Sequence, residues 1–298
     1  MTGATGFVGR ATLARAIDAG WHVRALTRRP QDARDGVTWI AGALDDKASL
    51  AELVAGSDVV LHIAGVVSVP TRAAFEAGNV TATANVVDAA RAADVRRFVH
   101  VSSLAAREPG LSNYGWSKER AEQVVLTSGL DWTIIRPPAV FGPGDTEMLD
   151  LFRMARRGIA LIPNGRLSAI HVDELARLLV ATVADKIMSV GQIYEPDDGT
   201  PEGWSYRGFA RAIGRAVGRT RVAAMPIPAI VLKTSARLDT LVRRGGAKLT
   251  PDRARYIAHP DWVSTSTASP PAELWTPALD TDEALAGTVR WYREQGWL

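Results

Sequence analysis

The sequence contains no cysteine, and that absence removes several chemistries at once. No disulfide framework, zinc–thiolate centre, iron–sulfur cluster or cysteine nucleophile can be assembled from its 298 residues. No stretch approaches the ~20 apolar residues needed to span a bilayer. The N-terminus lacks the charged, then apolar, then small-residue pattern of a secretory signal, so a cytoplasmic protein is expected. No Gly-X-Y or heptad repeat and no low-complexity tract is found. No block of one charge sign stands out either: 35 basic residues face 32 acidic ones, for a formal net charge of +3. That balance argues against nucleic acid as a partner. What is present is an ordinary globular composition, 47% hydrophobic and 22% charged, long enough to bury a core without staples.

Through the first two-thirds of the chain, apolar strand-like runs alternate with helical stretches. Strands are expected at His22–Thr27, Val37–Ile40, Val59–Ile63, Arg97–Val101 and Trp132–Ile135. Helices are expected at Val8–Ala19, Lys47–Ala55, Ala73–Ala92 and Ser117–Leu126. Near-continuous apolar strands between helices of this length imply α/β architecture, a doubly wound parallel sheet of the Rossmann type. After Pro137-Pro138 the rhythm changes. Helices are expected at Asp173–Ala184, capped by its own aspartate, and at Ser205–Val217, again with a serine cap. Prolines then break the remainder into short pieces. The expected organisation is a sheet domain over 1–165, partly rejoined by 166–200, and a small, mostly helical C-terminal region over 201–298.

Thr2-Gly3-Ala4-Thr5-Gly6-Phe7-Val8-Gly9 spaces three glycines as G-x-x-G-x-x-G and runs directly into a helix. A turn of this kind brings backbone N–H groups and a helix N-terminus against a pyrophosphate, and the glycines permit close approach. Arg28 and Arg29 end the following strand, where the adenosine ribose of a dinucleotide would lie. An acid there accepts from the 2′-hydroxyl of NAD, whereas arginines suit the 2′-phosphate of NADP, so NADP(H) is favoured and NAD(H) is the alternative.

Tyr114 and Lys118 stand at i and i+4 on one helix face. A phenol titrating near ~10 is a poor acid or base at neutral pH, and a neighbouring ammonium favours its phenolate. That is what proton exchange with an alcohol or ketone requires. Ser102-Ser103 closes a strand at the sheet edge where open α/β sheets bind ligands, and a hydroxyl there can hydrogen-bond a substrate oxygen as charge develops.

Together these residues resemble the extended or atypical short-chain dehydrogenase/reductase superfamily, the NAD(P)-dependent epimerase/dehydratase group. The similarity runs along nearly the whole chain. Beyond the glycine turn it rests on Leu61-His62-Ile63-Ala64-Gly65, the Asn79 helix, Val101-Ser102-Ser103 and Tyr114 to Lys118. Arg136 to Gly144 and Ile170-His171-Val172-Asp173-Glu174-Leu175-Ala176 complete it. The resemblance implies that Tyr114 is the catalytic acid/base, that Lys118 lowers its pKa and holds the nicotinamide ribose, and that Ser103 orients the substrate oxygen. Ala64 and Gly65 would pass along the cofactor, with Pro137 beside the nicotinamide. Asn79 would be structural or part of a proton relay, and His62 and His171 would pack or fix loops.

The chain departs from the family pattern in two places. Gly42-Ala43-Leu44 stands where Gly-Asp-Leu is usual, which puts adenine recognition in question and leaves Asp45 and the Leu44 backbone to contribute. The family's first, central strand also has no counterpart before Thr2. The expectation is a shortened version of a protein that natively begins several residues earlier, with its two neighbouring strands deprived of a shared partner.

Sugar-nucleotide members carry an arginine just before the segment matched by Ile170-His171-Val172. Here Leu167-Ser168-Ala169 fills that stretch, with Arg166 one residue out of register. The stretch from Lys248 to Trp262 and the C-terminal Trp291–Leu298 are closer to the hydroxysteroid dehydrogenase and dihydroflavonol reductase branch. The expected activity is therefore NADP(H)-dependent oxidoreduction of a secondary alcohol or ketone, by a monomer or homodimer. Two alternatives are a sugar-nucleotide epimerase or dehydratase using the same residues, and a non-catalytic dinucleotide-binding assembly or sensor protein. The basic amphipathic stretch from Pro226 to Gly245 could lie on a membrane surface or lid an apolar pocket, the plainer reading being an ordinary helix.

Overall fold

The computed structural model describes residues 1–185, 187–228, 234 and 250–298. They form two compact units: Met1–Pro137 with Asp173–Pro196 and Thr267–Thr276, and Pro138–Val172 with Asp197–Ser266 and Pro277–Leu298.

The chain opens in the first unit with α1 (Phe7–Asp18), β1 (Val23–Thr27), β2 (Val37–Ala41), α2 (Lys47–Val54), β3 (Val59–His62) and α3 (Arg72–Phe75). A π-helical turn (Glu76–Thr81), α4 (Ala82–Ala92), β4 (Arg97–Val101), α5 (Asn113–Leu126) and β5 (Asp131–Ile135) follow. The second unit then begins with β6 (Ala139–Phe141), α6 (Leu149–Arg156), β7 (Ile159–Ile162), β8 (Arg166–Leu167) and β9 (Ala169–His171). The first unit resumes through α7 (Val172–Ala184) and β10 (Gln192–Tyr194). The second ends with β11 (Trp204–Ser205), α8 (Tyr206–Ala216), β12 (Ala223–Pro226), α9 (Pro251–Ile257), β13 (Asp261–Trp262) and α10 (Thr281–Glu294).

In the first unit β10, β5, β4 and β3 form a parallel sheet in that order, and β1 pairs in parallel with β2. Met1 and Thr2 lie between the two pieces. Leu26 N donates to Met1 O (3.1 Å), the Met1 ammonium donates to Arg24 O (2.7 Å), and Thr2 N donates to Leu61 O (3.0 Å). Thr2 forms a single parallel bridge with His62. The place expected to hold a full first strand is thus held by two residues, which give β1 and β3 part of a shared partner. Burial lowers the Met1 ammonium to about 5.

β4 is buried at every position, as a strand covered on both faces must be. On one face Phe98, Val60 and Ile134 pack with Leu50 and Leu53 of α2, Val86 and Ala90 of α4 and Val125 of α5. On the other, Val23 and Ala25 meet Leu13 and Ala16 of α1 and Val180 of α7. This is the expected doubly wound Rossmann arrangement.

Local chemistry moved several boundaries. α5 begins four residues before the expected Ser117, because the Ser112 side chain accepts from Gly115 N (3.0 Å) and caps it there. Tyr114 therefore sits in the first turn, one turn before Lys118. The helix expected over Ala73–Ala92 contains the π-helical turn, and Asn79 lies within it. α7 starts at Val172, so Asp173 is a first-turn residue and not the cap. Ser205 does cap α8, accepting from Gly208 N (3.0 Å).

Beyond residue 201 the regular structure among the described residues is mostly helical, in α8, α9 and α10, and the second unit adds a set of short strands. β6 pairs with β9, β7 with β12, and β8 with both β11 and β13, beside α6, α8, α9 and α10. These strands run two to four residues between glycines and prolines, too short for an alternating pattern to declare itself. Tyr292, Phe152, Phe141 and Phe209 are fully buried there, with Phe152 and Tyr292 edge-on at 5.2 Å. Apart from 226–228 and Thr234, the amphipathic stretch ending at Gly245 lies outside the described residues. Among the described residues no helix is long and apolar enough to cross a membrane.

Candidate active site

The glycine turn is closed from two sides. Gly3 has φ +74, and a Cβ on it would stand 2.7 Å from Ala64 N. A Cβ on Gly9 would stand 1.9 Å from Gly3 O. Only glycine fits either place. Gly6 is the N-cap of α1 and no side chain caps that end, so the first N–H groups of the helix remain for a ligand. With the helix dipole behind them, they suit the pyrophosphate of a dinucleotide.

Arg28 and Arg29 are exposed just past β1, and Thr27 Oγ1 ties the turn by donating to Arg29 O (2.7 Å). Beyond β2, the Leu44 carbonyl accepts from Asn85 Nδ2 (2.8 Å). Asp45 is exposed, while Asp46 caps α2 through Ala48 N (3.0 Å).

Ser103 follows β4 and caps a short 3₁₀ turn, its Oγ accepting from Ala105 N (3.2 Å). Its own hydroxyl proton is left to donate. Lys118 is buried and donates to Val101 O (2.7 Å). Burial lowers its pKa to about 8, against the opposing pull of the Glu122 carboxylate. The Tyr114 ring lies 6.1 Å from that of Phe75. Pro137 is buried, its carbonyl accepting from Leu104 N (3.1 Å). Where Gly65 passes, a Cβ would be 3.0 Å from Asn79 Oδ1 and 3.8 Å from Lys118 Nζ, so the loop after β3 runs directly alongside the lysine.

Hydrogen bonds through His62 link that loop to the glycine turn. Thr83 Oγ1 donates to Asn79 O (2.6 Å), so it must accept from His62 Nε2 (3.0 Å). His62 is therefore protonated on Nε2 and accepts at Nδ1 from Thr2 Oγ1 (2.7 Å). Thr2 Oγ1 in turn accepts from Ala64 N (3.2 Å). Every donor in this chain points the same way. Burial, with Lys118 and the Met1 ammonium nearby, holds the His62 pKa at about 3. Asn79 clamps Val66 through both its N–H (2.7 Å) and C=O (3.0 Å) and donates to Ser117 Oγ (2.8 Å). Its side chain is thereby occupied in structural bonds.

His171, in the second unit, meets Phe141 edge-on at 5.4 Å, a packing contact. Sequence reasoning missed Glu122, Arg136 and Thr83. The available signal for Glu122 was its spacing, a second i+4 step along α5 from Tyr114 through Lys118.

The chain belongs to the NAD(P)H-binding family, matched over residues 3–186. It is an NAD(P)-binding enzyme of the reductase type. It is 35% identical to ceramide reductase of Caulobacter vibrioides, over 100% of this chain and 95% of that protein. It is 31% identical to 4-hydroxy-2-methyl-3-oxo-4-farnesyl-3,4-dihydroquinoline-1-oxide ketoreductase of Stigmatella aurantiaca, over 67% of this chain and 68% of that one. Among solved structures, a double mutant of DesIV, the dTDP-glucose 4,6-dehydratase of Streptomyces venezuelae, with NAD bound, matches with a TM-score of 0.72 at 20% identity. That match covers 99% of this chain and 97% of the other, and it shows the shared Rossmann fold.

Proposed function

We propose that this enzyme is an NADPH-dependent ketoreductase, converting a ketone on a substrate with a long apolar portion into a secondary alcohol. The observation that carries the reaction type is the set Ser103, Tyr114 and Lys118, at the end of β4 and along the first two turns of α5. The nicotinamide of a bound cofactor would supply the hydride for the carbonyl carbon. Tyr114 gives its phenolic proton to the carbonyl oxygen, and Ser103, whose Oγ lone pair is taken by Ala105 N, donates its hydroxyl to that same oxygen. Lys118 has one proton on Val101 O, leaving two to hold the ribose hydroxyls, and its charge favours the phenolate left on Tyr114.

The glycine turn (Gly3, Thr5, Gly6, Phe7, Val8, Gly9) would take the pyrophosphate, with Ala64, Gly65 and Pro137 flanking the nicotinamide half. Arg28 and Arg29, with no acid beside them, support NADP(H) over NAD(H). The apolar substrate class is supported by the two curated relatives, whose names specify a ceramide and a farnesyl-bearing ketone. A sugar nucleotide fits less well. Arg166, the nearest arginine to the expected diphosphate position, is engaged by Glu202 O (2.7 Å) and Gly203 O (3.0 Å), and Ser168 is buried and bonded to Asp197 (2.9 Å).

A panel of long-chain ketones, including a 3-keto ceramide, assayed for NADPH oxidation with product analysis tests the reading. Stoichiometric conversion of ketone to alcohol is expected, and Tyr114→Phe should abolish turnover while NADPH still binds. Product formation without net NADPH consumption would transfer the assignment to an epimerase or dehydratase.

A further inference from the structure

Behind the Ser103/Tyr114/Lys118 set lies a line of charged groups that the reaction scheme above does not use. Glu122 is buried one turn beyond Lys118 on α5. Its Oε1 accepts from Ser102 Oγ (2.5 Å) and Arg136 Nε (2.9 Å), and its Oε2 accepts from Arg136 Nη2 (2.6 Å). Arg136 also reaches Glu195 (3.4 Å), whose other oxygen accepts from Arg107 (3.1 Å). Two carboxylates and two guanidinium groups thus alternate, and the cluster is electrically neutral. Glu122, its partner Ser102 and Arg136 each sit beside a residue assigned a role in the reaction. Ser102 precedes Ser103, Arg136 precedes Pro137, and Glu122 follows Lys118 by one turn. Buried charges are retained at a desolvation cost, and a fork-to-fork arginine–carboxylate pair fixes geometry more strictly than apolar packing.

We infer that Glu122 is a positioning residue for the reductase site: through Ser102 and Arg136 it locks the ends of β4 and β5 that carry Ser103 and Pro137, and it sets a carboxylate one helical turn from the buried Lys118 ammonium as its counter-charge. This rests on the reductase reading for its catalytic consequence, but not for its electrostatic one. The other titratable groups around Lys118 offer no such support. His62 of β3 and His100 of β4 are buried with their pKa values lowered, Tyr114 is a phenol on the same helix, and Arg136, just past β5, carries the same sign as Lys118. Removing the Glu122 charge leaves desolvation unopposed and Arg136 half-paired, both of which disfavour the ammonium.

The chain has five lysines, so NMR of protein labelled at lysine Cε can follow Lys118 directly, with Lys118→Arg giving the assignment. In wild type the Lys118 midpoint should lie near 8. In Glu122→Gln it should fall by about one pH unit while Lys47 does not move. Glu122→Gln/Arg136→Gln, which leaves no unpaired guanidinium should the single variant fold poorly, should shift it in the same direction by less. Ser102→Ala keeps the carboxylate, so its midpoint should stay in place while kcat falls about tenfold at unchanged NADPH KM. An unmoved Lys118 midpoint in both Glu122 variants overturns the inference. Failure of every ketone to react would overturn the reductase reading instead and leave the NMR result standing.

Discussion

Replacing Gly9 with alanine puts one methyl group where the turn has no space for it. The new Cβ would stand 1.9 Å from Gly3 O, 2.7 Å from the Gly3 carbonyl carbon and 3.0 Å from Ala4 Cα. All three are backbone atoms, so no side chain can rotate aside. Ordinary contact begins near 3.4 Å, so the Gly3 carbonyl would have to retreat by about 1.5 Å. Retreat is opposed by Gly6 N, which donates to that carbonyl (3.0 Å), and by Ala64 N, which presses on Gly3 from the other side. Two effects compete. Alanine within a helix gains about 1 kcal/mol over glycine, and overpacking against a rigid neighbour costs about 1–3 kcal/mol. Because the obstacle is main chain on both sides, the upper end applies and the variant should lose about 2 kcal/mol net. Tilting the first amides of α1 should also weaken NADPH binding at least tenfold, about 1.4 kcal/mol. Thermal melting and NADPH fluorescence titration read the two effects, with Gly110→Ala as the control, since nothing lies within 4 Å of a Cβ there. A Gly9→Ala protein with wild-type Tm and wild-type NADPH affinity would refute the phosphate-cradle reading.

Arg28→Ala/Arg29→Ala should raise the NADPH Kd about tenfold with little change for NADH, measured by isothermal titration. His62 should remain neutral and protonated on Nε2 throughout pH 4–8, as read by ¹⁵N NMR of the ring. Because its folded pKa near 3 lies below the unfolded 6.5, it contributes stability above pH 6.5 that is lost as pH falls toward 3. Asp145 has the opposite sign. Burial raises its folded pKa from 3.8 to about 6, although Glu147 N and Met148 N donate to it, so its contribution is complete below pH 4 and is lost as pH rises through 6. Because the His62 contribution slopes the other way over the same range, the Asp145 contribution is read as the difference between wild type and Asp145→Asn in urea unfolding across pH 4–7: relative to the variant, wild type should lose about 3 kcal/mol at most as pH rises.

How much could be read in advance depended on the range of the forces involved. The strands β3 to β5 were legible because a strand buried on both faces is largely apolar, as Val59–His62 is. The glycine turn was legible because Gly3 and Gly9 face steric limits that no other residue meets. The start of α5 was not, since Ser112 lies two residues before Tyr114 in a stretch with no apolar period, and only its cap bond to Gly115 shows where the helix begins. The short strands of the second unit escaped for a related reason: Arg166–Leu167 becomes a strand by pairing with Trp204–Ser205 and Asp261–Trp262, far away in sequence.

By itself the sequence determined the fold class, the glycine turn and the Tyr114–Lys118 spacing, because each depends on spacing within one or two consecutive elements. Tertiary structure alone decided the state of those groups. The single proton direction from Ala64 through Thr2, His62 and Thr83 to Asn79 follows from three segments meeting in space. So does the pairing of Glu122 with Ser102 and Arg136, and with it the balance of burial and charge on Lys118. Desolvation and Coulomb terms depend on what surrounds a group in three dimensions, and residues 14 and 20 positions away supply that surrounding here.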